Sequence, residues 1–399
     1  MTGSRLWFDL TVSFNLRRAP SGIPRVEQEC CRWVLATHPE RVSFCVYDET
    51  MHCWYPLPTD EARAVLERQY HPDGSAVAST LSTWQPGSAP LTFRPGDGYV
   101  CLNADQTPQR LAALYAAHRQ AGLRVFAFAH DIIQILFPHF YWLHADQGCA
   151  RYFVDLAWSA EHLFCNSRRT RDDLTAFYGE VGMAPPPMSV VRLGDELPAD
   201  AAAPCSDEVR DIVRRPFILT VGTLEIRKNH ETLYRALLDL LDRGEHDLPT
   251  LVFAGMRGWR IDDLLASLQI DRRVQQRIRI VSHASDADLA TLYRACRFTA
   301  FPSFYEGWGL PVAESLAYGK FCLASNAGSI PEIAGDLIEM VSPYDVRAWA
   351  DRMLAYSRDH ALLAQREQAI RAQYVVTPWR ETAAAIMQPV LTAVAPSNG

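Results

Sequence analysis

Residues 217–241 read FILTVGTLEIRKNHETLYRALLDLL. An apolar run rich in β-branched and aromatic residues (217–221) stops at Gly222, a polar loop follows, and from His230 to Leu241 the apolar residues recur at helical spacing. This is one βα unit. Working outward, the same alternation fills the carboxy-terminal half: strand-like runs at 251–254, 278–281, 299–301, 321–324 and 337–341 are separated by helical patterns such as 288–296 and 311–318. Repeated βα units predict a parallel sheet covered by helices. The amino-terminal half shows it less regularly, with strand-like runs at 6–10, 42–47, 125–129, 163–165 and 190–193. A stretch from about Met51 to Pro95, rich in Pro, Ser and Gly, interrupts it and reads as an insertion or long loop.

With 399 residues the chain exceeds one compact core and suits two domains. The segment PADAAAP (198–204) reads as their linker, which sets the expected domains at 1–205 and 206–375, followed by a helical segment and tail at 376–399. At 48% hydrophobic and 21% charged residues the composition is that of a folded globular protein. A formal net charge of -7 argues against a broad nucleic-acid or anionic-lipid footprint. None of the ten cysteines forms a CxxC pair. Met1 to Leu10 lacks the pattern of a signal peptide and no apolar run reaches about 18 residues, so a cytoplasmic protein is expected. The run IIQILFPHFYW (132–142) is read as interior packing or an acceptor-pocket wall, with a peripheral contact at the inner face of the cytoplasmic membrane as the other reading.

Two constellations carry chemistry. In the first, Gly222 ends a strand, Arg227 and Lys228 follow, and Asn229 is placed to cap the helix that begins at His230. A strand's carboxyl end, a helix amino terminus and two adjacent cations outline a diphosphate site, against the plainer reading of an exposed basic loop. Only two of the 39 basic residues are lysines, Lys228 and Lys320, so a compact ammonium stands at 228 where guanidinium is this chain's habit. Lys320 is expected at the surface. In the second constellation, Glu306-Gly307-Trp308-Gly309-Leu310-Pro311 leads to Glu314. Gly307 and Gly309 allow close backbone approach to a ligand, Pro311 suits the first helical turn, and Glu314 is placed to accept from two vicinal hydroxyls.

FYEGWGLPVAESLAYGK (304–320), VGTLEIRKNHETL (221–233) and SNAGSIPEIAG (325–335) resemble the donor-site signatures of the retaining GT-B glycosyltransferases of family 4, and the VGTLE-x-RKN stretch is similar to their mannosyltransferase branch. The resemblance covers about 215–395 closely and the first half loosely. It implies two facing Rossmann-like domains, an acceptor-binding one first and a donor-binding one second, with a carboxy-terminal helix crossing back. Arg227 and Lys228 would hold the donor diphosphate, Glu314 the ribose and Glu306 the transferred sugar. Gly22, Gly222, Thr223, Gly307, Trp308, Gly309, Leu310 and Asn326 would line the donor site with them.

In the first half, Ser21-Gly22-Ile23-Pro24-Arg25 resembles the family's glycine loop, with Pro24 where a second glycine is usual, and His130-Asp131 matches its His-Asp pair. His130 would orient the sugar or acceptor. Ser167 reads as a helix cap ahead of an arginine cluster (168–171) that could meet an acceptor phosphate. Asp286-Ala287-Asp288 has metal-binding D-x-D spacing, but its place before a helix reads as Ser285 or Asp286 capping and Asp288 complementing the dipole. The expectation is a metal-independent enzyme with no cofactor beyond its nucleotide-sugar donor, GDP-mannose by resemblance, acting on a polysaccharide or lipid-linked glycan precursor. Alternatives are a UDP-hexose or dTDP-rhamnose donor, a glycan phosphorylase or sucrose-synthase-like enzyme, and a non-catalytic nucleotide-sugar-binding assembly protein.

Overall fold

The computed structural model describes residues 4–16, 22–68, 89–103, 107–196 and 204–394. Ser21, linker residues 198–203, part of the 51–95 stretch and the final Pro-Ser-Asn-Gly lie outside them. The chain forms two units: the first comprises residues up to Pro138, Leu143–Gly194 and those from Thr377 on, the second His139–Trp142 and Asp195–Val376. The units part at Gly194 and Asp195, where the sequence reading puts the boundary near 205.

The first unit's sheet has, among the described residues, strands β1 (Leu6–Asp9), β2 (Val42–Asp48), β3 (Cys53–Leu57), β4 (Gly98–Cys101), β5 (Arg124–Ala129), β6 (Ala160–Cys165) and β7 (Met188–Val190), in the order β3-β2-β1-β4-β5-β6-β7. All pairings are parallel except β2 with β3. The expected irregular stretch at 51–95 therefore needs correction: β3 and a helix, Thr59–Leu66, lie within it. Pro56 disguises β3 in the sequence, and its position on the sheet edge explains the tolerance, since an edge strand can forgo a ladder donor. The sequence reading also passed over β4, a four-residue strand that opens on Gly98. A Cβ there would lie 2.4 Å from Val394 Cγ2, so the end of the carboxy-terminal helix Trp379–Ala393 requires glycine at that point. That helix packs on the helix Ile23–Thr37 of the same unit, and Trp379 occupies the space a side chain at Gly194 would need.

The second unit holds β8 (Phe217–Val221), β9 (Thr250–Ala254), β10 (Ile278–Val281), β11 (Phe298–Phe301), β12 (Cys322–Ser325) and β13 (Glu339–Val341) in an all-parallel sheet ordered β10-β9-β8-β11-β12-β13. Its central strands β8, β9, β11 and β12 are buried on both faces and read as nearly unbroken apolar runs, which makes the sequence signal clear. This is the doubly wound order whose direction of winding reverses between β8 and β11, and ligands bind at the carboxyl ends of the strands flanking such a reversal. In the first sheet the corresponding reversal lies between β1 and β4.

Candidate functional site

Both predicted constellations emerge at the β8/β11 reversal. After β8 the chain turns at Gly222, whose φ of 143° lies where side chains are rarely accepted. The loop then lies against the end of β9: Leu224 N–H donates to Met256 O at 2.8 Å and Gly258 N–H to Leu224 O at 2.8 Å. Gly255 permits this, because a Cβ there would sit 1.9 Å from Gly222 O. A short turn, Ile226–Lys228, brings the two cations forward, and Asn229 follows in the left-handed region with φ 57°. Asn229 stands at the head of the helix His230–Asp242, as expected, but its side chain makes no cap bond. Its Nδ2 instead donates to Pro302 O (3.0 Å) and Pro343 O (2.9 Å), and Thr232 Oγ1 donates to its Oδ1 (2.9 Å). The buried amide thus ties the cation loop to those after β11 and β13. The Oδ1 that a cap would use accepts from the Thr232 hydroxyl instead of from a helix N–H group.

Glu306 is the hub. Its Oε1 lies 2.7 Å from Lys228 Nζ and its Oε2 2.7 Å from Arg227 Nη1, and Ser303 Oγ donates to the same carboxylate. Arg227 reaches Glu225 Oε1 at 2.6 Å through Nη2 and donates to Tyr305 O at 2.9 Å. Lys228 Nζ also lies 5.1 Å from the centre of the Phe301 ring. Burial alone would push the Glu306 carboxyl up, but Arg227 and Lys228 outweigh it and hold it at about 2. For Glu225 the balance is reversed: burial prevails over the same two cations and raises it. Glu306 is therefore an anion that locks two cations into one geometry.

The glycine loop is held from behind. Gly309 (φ 114°) precedes the helix Leu310–Ala317, with Pro311 in its first turn. Gly328 presses on the Glu306 backbone so closely that a Cβ would lie 2.4 Å from Glu306 O, and Ser329 Oγ donates to Glu306 O (3.0 Å) and Trp308 O (2.8 Å). Gly307 and Trp308 are buried, Leu310 and Thr223 half-buried, and Asn326 exposed. The 325–335 motif thus acts partly as a brace for the glutamate loop, a role the sequence does not announce. Glu314 accepts from the buried Tyr293 hydroxyl at 2.9 Å, which fixes one oxygen of the carboxylate proposed for the ribose. Directly behind Lys228, His230 is fully buried, and neither ring nitrogen finds a hydrogen-bond partner among the described residues. Burial, with the neighbouring Lys228 adding to it, drives His230 down to about 3.

In the first unit, Gly22 heads the helix Ile23–Thr37 with φ 59°, and Arg25 lies 5.0 Å from the Trp379 ring. His130 follows β5 and is buried; its Nε2 must donate to Leu102 O at 2.8 Å, which leaves the lone pair on Nδ1. Burial pushes it down to about 4, so it is a neutral imidazole. Next to Leu102, Asn103 Nδ2 donates to Glu27, whose other oxygen accepts from Ser13 N–H at 2.9 Å. The sequence reading missed this buried Glu27–Asn103 pair. The signal available was a carboxylate one turn into a helix next to cysteines and valines.

Asp288 is part of a capping box with Ser285 and also accepts from Ser206 N–H at 2.7 Å, which commits both its oxygens to backbone donors. Among the described residues no group of three or more His, Cys, Asp and Glu is arranged to hold a metal. Ser167 caps its helix, and Arg169 and Arg171 pair with Asp173 and Asp172. Lys320 is not the plain surface residue expected: its Nζ donates to Cys296 O at 2.9 Å.

Two α/β sheets, parallel throughout but for the β2–β3 edge, match the architecture of solved GT-B structures. HepE of Anabaena in complex with UDP and glucose superposes with a TM-score of 0.63 over 97% of this chain and 99% of its own, at 16% identity. Sucrose-phosphate synthase of Thermosynechococcus elongatus gives 0.63 over 98% and 99%. Within that fold, residues 207–374 match the glycosyl transferases group 1 family, so the second unit carries a domain of that family. O-antigen chain mannosyltransferase B of Escherichia coli is 38% identical over 146 residues, 36% of this chain and 37% of that protein. D-inositol 3-phosphate glycosyltransferase of Xylanimonas cellulosilytica is 28% identical over 237 residues, 57% and 56% of the two chains. The chain thus spans from about a third to about half of these relatives. No helix among the described residues is long and apolar enough to cross a membrane.

Proposed function

We propose that the protein is a retaining, metal-independent hexosyltransferase that moves mannose from GDP-mannose to a hydroxyl of a polysaccharide or lipid-linked glycan precursor. The second unit binds the donor and the first the acceptor. The observation that carries this reading is the Arg227–Lys228–Glu306 cluster at the β8/β11 reversal, where two cations are held side by side at the carboxyl ends of parallel strands. The relatives named mannosyltransferases favour mannose as the sugar.

In the reaction, the bond between the sugar's anomeric carbon and the diphosphate oxygen breaks and its electron pair leaves with the diphosphate. Arg227 and Lys228 meet that charge, preorganised and with little solvent to rearrange. The oxocarbenium-like sugar is attacked from the same face by the acceptor oxygen, whose proton passes to the departing phosphate. Neutral His130 orients the sugar or acceptor through Nδ1 and is too weak a base to take the proton itself. Glu314, steadied by Tyr293, receives the ribose hydroxyls.

The test is nucleotide release from GDP-mannose, UDP-glucose, UDP-galactose and dTDP-rhamnose, with and without a mannose oligosaccharide, read together with the anomeric configuration of the product. Acceptor-dependent release of GDP with retention is expected. Release from another donor alone would replace the sugar assignment, and binding of nucleotide-sugars without any release would replace catalysis by a sensing or assembly role.

A further inference from the structure

An aromatic row leads away from the cation loop. Phe304 N–H donates to Arg227 O at 2.9 Å, so its ring is anchored next to the cluster just described. On one side Tyr344 lies 5.1 Å from it between ring centres and is 73% exposed. On the other, Phe140 stacks on it at 5.4 Å with the planes 14° apart. Phe140 O accepts from Trp259 Nε1 at 3.0 Å, and around Trp259 stand Tyr141 and Trp142, each with ring centres 5.8 Å away. Trp142 ends the row and is 61% exposed. All six residues belong to the second unit, because the short stretch His139–Trp142 clusters with it rather than with the half of the sequence it comes from.

Fixed aromatic faces, several of them in contact with solvent, suit flat ligands with an apolar face and a polar rim. A pyranose ring has such a face in its axial C–H groups and such a rim in its hydroxyls. A lipid surface, the other reading of 132–142, would want free cations nearby, and the two exposed arginines beside the row are engaged. Arg257 pairs with Asp262, and Arg260 donates to His139 O. With Arg257 neutralised by Asp262, Arg260 the one of the two left to the row as a cation and a net charge of -7, an uncharged ligand fits better than an anionic membrane. The row also starts at the donor-side cluster, where a growing chain would present its reacting end.

We infer that Tyr344, Phe304, Trp259, Tyr141 and Trp142, braced by the buried Phe140, form a subsite for an oligosaccharide chain, stacking successive sugar rings of an acceptor longer than one unit. The inference rests on the proposed glycan-directed transfer and amends it: the first unit takes the reacting end of the acceptor, while the distal sugars of a long one lie on the second unit, which is why length matters. Trp142 and Tyr344 then set affinity for long acceptors, while the cation cluster sets the chemistry.

The test uses the full chain with saturating GDP and linear mannose oligosaccharides from the disaccharide to the hexasaccharide, read by calorimetry. Affinity is expected to rise with length. Trp142→Ala and Tyr344→Ala, both exposed and so compatible with folding, should each weaken hexasaccharide binding by up to about tenfold and disaccharide binding less, with Trp142→Phe restoring most of the loss. Length-independent binding, or equal binding by the alanine variants, overturns the subsite. So does hexasaccharide binding that appears only when GDP is left out, which would give the row to the donor, or Trp142-dependent flotation with phosphatidylglycerol vesicles in place of oligosaccharide binding. Failure of the function itself would look different: no transfer from any donor, whatever the acceptor's length.

Discussion

Lys228 Nζ and Glu306 Oε1 lie 2.7 Å apart, joining a loop after β8 to a loop after β11 across the reversal of the sheet. The carboxylate is shared with Arg227, so removing its charge leaves two buried-side cations to repel each other. Glu306→Gln keeps the shape and loses the anion. Turnover should fall by about 100-fold or more, while binding of free nucleotide diphosphate, which supplies its own negative charge, should hold or tighten. Stopped turnover with weakened GDP binding would show that the two cations need Glu306 to arrange them for the diphosphate.

Asn229 carries two loads: a left-handed backbone and bonds to Pro302 O and Pro343 O. Asn229→Gly keeps the first and loses the second, whereas Asn229→Ala loses both. Urea unfolding should rank them wild type, Gly, Ala, with the Gly variant less stable by about 1–3 kcal/mol for the bonds lost at Pro302 O and Pro343 O. The Ala variant should lose about 1 kcal/mol more for its backbone.

Glu27 ties the short helix Thr11–Asn15 after β1 to Asn103, just beyond β4. Burial pushes its carboxyl up from 4.5 to about 8, with Asp9 adding to the rise and the Ser13 bonds and Arg110 opposing it. The folded state therefore holds a proton that the unfolded chain gives up. That contribution is complete below about 4.5, declines as pH rises, and is gone above about 8. Glu27→Gln should flatten the decline, so that denaturation midpoints of wild type and variant diverge in the variant's favour through this window.

His230 shows the opposite slope. Burial holds it down to about 3 from an ordinary 6.5, so its neutral form supports folding above about 6.5 and that support is lost as pH falls toward 3. His130, at about 4, adds to the same trend. Because neither nitrogen of His230 is satisfied, His230→Leu should cost little at neutral pH and reduce the acid sensitivity of unfolding. An unchanged acid profile would indicate that other groups dominate it.

How far the sequence discloses all this depends on burial and on who partners whom. The second sheet is legible because strands such as FILTV are covered on both faces and separated by amphipathic helices. Gly222, Arg227, Lys228, Glu306 and Glu314 are expected together from their types and spacing, and the structure gathers their loops at the β8/β11 reversal. Less visible is whatever depends on distant partners: Pro56 hides an edge strand, Val394 dictates Gly98, and Gly328 is small because the Glu306 backbone passes over it. Asn229 looks like a cap in the sequence, and only the loops ending at Pro302 and Pro343 redirect its amide. The assignment of His139–Trp142 to the second unit has no local signal at all, since it depends on Trp259 and Phe304.

The most direct measurement is GDP release from GDP-mannose with an oligosaccharide acceptor, in EDTA, by wild type and Lys228→Ala. If fixed cations meet the leaving charge, wild type turns over undiminished by the chelator, and the variant falls by about 100-fold or more with its thermal unfolding nearly unchanged. Near-normal turnover by Lys228→Ala, or wild-type activity only on adding a divalent metal, would contradict the account.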